Sequence, residues 1–94
     1  MKNPHKIVLY SKPGCHLCEN AKEALYALSG EFDFILEEFD INEDPALYER
    51  YKYIIPVMVV DGKIELEARI DIRKIRRAFD DGYGPTYRIL KTKA

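Results

Sequence analysis

Two cysteines three positions apart, Cys15 and Cys18, stand where one sequence pattern gives way to another. Before them residues 6–10 (KIVLY) form a short β-branched and aromatic run, the composition of a strand, and Pro13-Gly14 punctuates the chain as a tight loop. After them Leu17, Ala21, Ala24, Leu25 and Leu28 recur at helical spacing, with Gly30 where a helix takes a left-handed terminator. The pattern predicts a strand, a tight loop and an amphipathic helix that the two cysteines open.

The rest of the chain alternates in the same way. Residues 32–41 are rich in Phe and Ile and partly alternating, which predicts a second strand with Glu37, Glu38 and Asp40 toward its far end. Asp44-Pro45 sets a capping acid before a proline at a first helical position, so a short helix to about residue 51 or 52 follows. Residues 57–60 (VMVV) read as a strand buried on both faces, and Asp61-Gly62 as a hairpin turn that returns the chain antiparallel along residues 63–68. A last helix from Asp71 is expected to bury Ile72, Ile75 and Phe79, with Arg76 and Arg77 near its negative end and Gly82 beyond it. The order β-α-β-α-β-β-α predicts an α/β fold, a four-stranded mixed sheet flanked by helices. At 94 residues the chain fits one domain, 1–94. Residues 80–94 lack clear periodicity, and Tyr83, Tyr87, Ile89 and Leu90 give this C-terminal tail the means to dock on the body.

Thiol–disulfide exchange needs two thiols that can meet, one exposed and ionised, the other close enough to resolve a mixed disulfide. The C-x-x-C spacing supplies both. Free N–H groups and the positive end of the helix dipole favour a thiolate on Cys15, the attacking thiol, while Cys18 lies one turn inward as the resolving one. Known sites of this kind span pKa values of ~3.5 to ~7.5 against ~8.5 for free cysteine. Lys12 and His16 add positive charge nearby, although His16 reads equally well as an exposed residue of the first turn. A disulfide at this spacing closes too short a loop to serve as a stability framework.

Other chemistries find less support. Structural zinc takes four Cys or His ligands, and no second C-x-x-C or paired-histidine motif exists, so redox chemistry is preferred and no metal site is expected. Glu19 stands where haem attachment requires histidine. His5 belongs to no motif and reads as incidental. Arg69, Arg73, Lys74, Arg76 and Arg77 read as a solvated helix face balanced by acids elsewhere; with a net charge of −1, no nucleic-acid partner is expected. Tyr48, Tyr51 and Tyr53 read as packing for the short helix in preference to a substrate groove. No nucleotide fingerprint, secretory leader or membrane-spanning run is read, and a soluble cytoplasmic monomer is expected.

The segments L-Y-S-K-P-G-C-H-L-C and I-P-V-M-V-V-D-G-K resemble the glutaredoxin branch of the thioredoxin superfamily, over most of residues 6–79. The resemblance implies a thioredoxin-like fold and a cis proline at Pro56, preceded by Ile55, facing the cysteines. Backbone groups around Ile55 would then pair with the extended segment of a bound disulfide. Lys12 and Asp71 match family positions, whereas His16-Leu17 replaces the usual Pro-Tyr between the cysteines, and residues 66–71 (LEARID) lack the Gly-Gly that holds glutathione. The implied protein is a disulfide carrier in cell redox homeostasis, with Cys15 and Cys18 catalytic and Lys12, His16, Ile55 and Pro56 assisting. It needs no cofactor beyond its own dithiol. Its substrates would be disulfide-bearing proteins or low-molecular-weight thiols, and its reductant glutathione or a thioredoxin-reductase-type system. The alternative is a non-catalytic binding module of the same fold, its cysteines holding metal or an iron–sulfur cluster.

Overall fold

The computed structural model describes residues 4–82. Its elements are β1 (His5–Ser11), α1 (His16–Ala27), β2 (Phe34–Asp40), a 3-10 turn (Ile41–Glu43), α2 (Pro45–Tyr51), β3 (Val57–Val60), β4 (Ile64–Glu67) and α3 (Ile72–Gly82). This is the expected order with one 3-10 turn added. The strands form one sheet in the order β2-β1-β3-β4. β1 and β2 run parallel, so α1 serves as the crossover between them, while β3 is antiparallel to both β1 and β4.

Alternation along β1 divides the sheet into two faces. Ile7 and Leu9 point with Met58 and Val60 toward α1 and α3, where Ala21, Leu25, Leu28, Ile75, Ala78 and Phe79 complete the main core. The opposite face joins Tyr10, Val57 and Val59 to Ile41, Leu47, Tyr51 and Ile54 around α2. β3 thus meets apolar partners on both sides, which accounts for its unbroken VMVV composition. Asp61 and Gly62 both have positive φ, 55° and 69°, but Val60 pairs with Ile64, so the hairpin loop holds residues 61–63, one more than the two-residue turn that the Asp-Gly dipeptide signals.

Three expectations are corrected. Gly30 is not a left-handed terminator: among the described residues only Gly14 and Gly62 are glycines with positive φ. α1 ends instead at Leu28, fully buried, whose carbonyl accepts the N–H groups of Glu31 and Phe32 at 2.9 and 3.0 Å. Ile72 is 36% exposed, and the buried stripe of α3 is Ile75, Ala78 and Phe79. His5 is not incidental: it opens β1, is 1% exposed, hydrogen-bonds through Nδ1 to Asp61 Oδ2 at 2.6 Å and stacks on Phe79 at 4.2 Å. Of residues 80–94, read as a C-terminal tail, the first three belong to α3, and the rest, including Tyr83, Tyr87, Ile89 and Leu90, lie outside the described residues.

Candidate functional site

β1 delivers the chain to the site at Ser11, and the loop that follows turns sharply at Gly14, whose φ of +77° any side chain would strain. Cys15 comes next, in extended conformation, as the N-cap of α1 and not within its first turn. Its Sγ accepts the Cys18 N–H at 3.1 Å, and its carbonyl accepts the Glu19 N–H at 3.1 Å. The sulfur therefore takes the place that a serine or aspartate oxygen takes at most helix starts, against the positive end of the helix dipole.

Cys15 and Cys18 are joined as a disulfide with their Cα atoms 5.2 Å apart. That separation lies within the ~4.4–6.8 Å usual for disulfides, so the backbone holds the two sulfurs within reach of each other. Cys15 is half-buried, whereas Cys18 is 1% exposed on the inner face of α1. Lys12 and His16 are both exposed and flank Cys15 in sequence, one in the loop and one as the first residue of the helix.

The Ile55–Pro56 peptide bond is cis, and Pro56 is buried directly before β3. Because Tyr10 pairs with Val57 in antiparallel register, this bond lies at the end of the sheet where β1 feeds the cysteine loop. The fold thus brings the second quoted segment to the first across a gap of about forty residues in sequence. The Pro56 carbonyl accepts the Ala68 N–H at 2.8 Å, tying the segment to the end of β4. The Ile55 N–H is taken by the Tyr51 carbonyl at 3.1 Å.

Beside the cysteine loop lies a cleft of about 370 Å³ whose lining includes Ser11, Lys12, Glu19, Lys22 and Glu38. Ser11 donates to Glu38 at 2.8 Å, and Lys22 bridges Glu38 and Glu19, each at 3.3 Å. Burial alone would lower the Lys22 pKa, but hydrogen bonds and charge from Glu38 and Glu19 outweigh it and hold the amine above its ordinary value. This network escaped the sequence reading. Its one visible trace is the i,i+3 spacing of Glu19 and Lys22; the partner on β2 carries no local signal.

Of the tyrosines, Tyr51 is buried and stacks on Tyr10 at 4.6 Å, as packing requires, whereas Tyr53 is 88% exposed beside the cis bond. Asp71 caps α3, accepting the Lys74 N–H at 2.9 Å. Among the described residues no three His, Cys, Asp or Glu side chains gather as a metal-ligand set, and no helix is long and apolar enough to cross a membrane.

A four-stranded mixed sheet with a C-x-x-C disulfide at the start of its first helix and a cis-proline before its third strand defines a thioredoxin-like protein with a redox-type site. The chain belongs to the glutaredoxin-like domain family (DUF836), which matches residues 6–80. A glutaredoxin-like protein of Dictyostelium discoideum is 36% identical over 75 residues, covering 73% of this chain and 69% of its own. The X-ray structure of a structural-genomics target from X. campestris superposes with a TM-score of 0.68 at 32% identity, covering 84% of this chain and 99% of that one. A mutant thioredoxin from Halobacterium salinarum shares the fold at a TM-score of 0.67 and 18% identity, over 89% of this chain and 79% of its own.

Proposed function

We propose that this protein is a thiol–disulfide oxidoreductase in which Cys15 attacks and Cys18 resolves. The observation that carries the reading is the 3.1 Å contact from the Cys18 N–H to Cys15 Sγ, which gives negative charge on that sulfur a donor and a dipole before substrate arrives. In the first step the Cys15 thiolate attacks a substrate disulfide; a Cys15–substrate disulfide forms and one substrate sulfur leaves as a thiolate that takes up a proton. In the second step the Cys18 thiol loses its proton and attacks Cys15 Sγ. The intramolecular disulfide closes, the second substrate sulfur leaves, and the substrate has gained two electrons. Two electrons from an external thiol donor, glutathione or a thioredoxin-reductase-type system, then restore the dithiol.

Lys12 and His16 contribute positive charge near the attacking sulfur, and Ile55 and Pro56 form the backbone wall against which an extended substrate lies, with the Ile55 carbonyl as acceptor. Substrates are disulfide-bearing proteins or low-molecular-weight disulfides, met in the cytoplasm by a monomer. The protein's own dithiol is the only redox group this cycle uses.

Two measurements test the reading. Cys15→Ser is expected to abolish exchange, while Cys18→Ser traps the mixed disulfide; equal activity in both variants overturns the assignment of roles. Titration of the wild-type couple against glutathione buffers is expected to give a reversible two-electron potential between roughly −270 and −180 mV. A pair that never oxidises reversibly, or that stays locked below about −300 mV, removes the carrier and leaves the binding module.

A further inference from the structure

Packing accounts for Tyr51 but not for Tyr53. Tyr51 is buried against Tyr10, whereas Tyr53, two residues on, keeps 88% of its surface in solvent. The backbone that carries Tyr53 is nonetheless fixed. The Tyr51 carbonyl accepts both the Ile54 and the Ile55 N–H, at 2.9 and 3.1 Å, and the Ile54 and Pro56 carbonyls share the Ala68 N–H, at 3.2 and 2.8 Å. The ring is steadied from one side. Lys52 Nζ lies 5.2 Å from its centroid and 5.5 Å from that of Tyr48, and Glu49 holds the same ammonium at 3.1 Å. A ring so placed is oriented before anything binds, while most of its surface stays open to water.

We propose that Tyr53 is a specificity-determining residue of the exchange reaction, its ring taking an aromatic or aliphatic side chain next to the substrate's cysteine. The role rests on the exchange pair Cys15 and Cys18, and on Ile55 and Pro56 as the wall along which substrate lies, as proposed above. Tyr53 stands two residues before Ile55, in the turn that leads from α2 into that wall. Leu17, exposed between the two cysteines, belongs to α1, which packs on the other face of the sheet from α2. The site thus has an apolar side chain to offer from each of the two helices that border it.

The chemistry of the ring selects the partner. A tyrosine side chain turns about two torsion angles, so it supplies a large contact area at little cost in entropy. Aromatic pairs also gain more than their buried area alone provides. A basic side chain is a poorer match, because the Lys52 ammonium already occupies one face of the ring.

The test uses the whole protein, reduced with a phosphine that is then removed. Its dithiol is oxidised by symmetric disulfides of a blocked pentapeptide whose cysteine is flanked on both sides by phenylalanine, by serine or by lysine. Each disulfide takes up two electrons and two protons, leaving two peptide thiols and the Cys15–Cys18 disulfide. Every second-order rate is divided by that of the same peptide with dithiothreitol, which removes intrinsic differences in reactivity, and bis(2-hydroxyethyl) disulfide reports exchange itself. The wild type is expected to favour the phenylalanine peptide over the other two by roughly three- to tenfold. Tyr53→Phe keeps that ratio, and Tyr53→Ser brings it close to one. A wild type that reacts with the hydroxyethyl disulfide but shows no preference, or prefers lysine, overturns this role and leaves exchange standing. A preference that survives Tyr53→Ser, or fails in Tyr53→Phe, does the same. A wild type that reacts with none of the disulfides overturns the exchange reading, and this role with it.

Discussion

Cys15 Sγ meets the Cys18 N–H at 3.1 Å, so the residue to which the proposed mechanism assigns the attack also caps a helix, and substitution can separate the two roles. In the reduced protein Cys15→Ser supplies a better capping oxygen, whereas Cys15→Ala leaves the N–H without an acceptor and is expected to cost about 1 kcal/mol relative to serine. Urea unfolding of the two variants measures this; equal midpoints would mean that the Cys18 N–H needs no capping acceptor at position 15. Asp61 shows the same density of roles. It receives His5 Nδ1 at 2.6 Å and the Lys6 N–H at 2.8 Å while adopting a left-handed turn conformation. Asp61→Ala removes the acceptor used by His5 Nδ1 and the Lys6 N–H and is expected to lose about 2–3 kcal/mol, and Asp61→Asn, which keeps an acceptor oxygen and the tolerance for that turn, about half as much. Chemical denaturation of both variants checks the order, and an alanine variant no weaker than the asparagine one would refute it. The cysteines announced themselves by spacing; His5 did not, because its partner is 56 residues away and a single histidine at a strand's start has no period.

Elements were legible wherever the signal was local. Asp44 accepts the Ala46 N–H at 2.9 Å as the cap of α2, with Pro45 following it, just as the dipeptide suggested. The end of α1 was not legible, because burial of Leu28 and its contacts with the returning chain stop the helix, and Gly30 merely stands nearby. Ile72 fitted the period of α3, yet the face that reaches the sheet is centred on Ile75, Ala78 and Phe79, a rotation set by partners on other strands. A salt bridge ties this helix to the segment after α1: Arg76 donates to both Glu31 oxygens at 2.6 and 3.0 Å. The hydrogen bond from Arg76 holds the Glu31 carboxyl below its usual range. A carboxyl whose pKa is depressed by folding contributes stability above its unfolded pKa and loses it as pH falls through the folded one. Glu31→Gln is therefore expected to melt slightly below wild type at pH 7, with the gap closing toward pH 3 and shrinking in 1 M salt. A gap that persists at pH 3 would show that Glu31 acts through something other than its charge.

At the scale of the whole molecule, the site joins segments that the sequence separates by about forty residues, and only the antiparallel pairing of Tyr10 with Val57 brings the cis bond to the end of the sheet that holds the cysteine loop. Order and motifs foreshadowed that meeting. The redox state of the pair is coupled to the stability of this whole fold. A disulfide closing a loop of about four residues removes little unfolded-state entropy, about 2 kcal/mol at most on the chain-entropy account. Against it the proposed mechanism sets a gain special to the reduced protein: a Cys15 thiolate that the Cys18 N–H and the helix dipole would favour in the folded state alone. That gain is present above the unfolded thiol pKa of ~8.5 and is lost as pH falls through the folded one. The oxidised form is thus expected to exceed the reduced form by about 2 kcal/mol or less at pH 5, and the margin to narrow or reverse by pH 9. Each 1.4 kcal/mol of narrowing corresponds to a ~30 mV more oxidising couple relative to the unfolded dithiol. Paired denaturation curves with and without a non-thiol reductant measure the margin directly. A margin that stays constant or widens with pH would mean that the fold does not favour the thiolate, and the attack assigned to Cys15 would lose its physical basis.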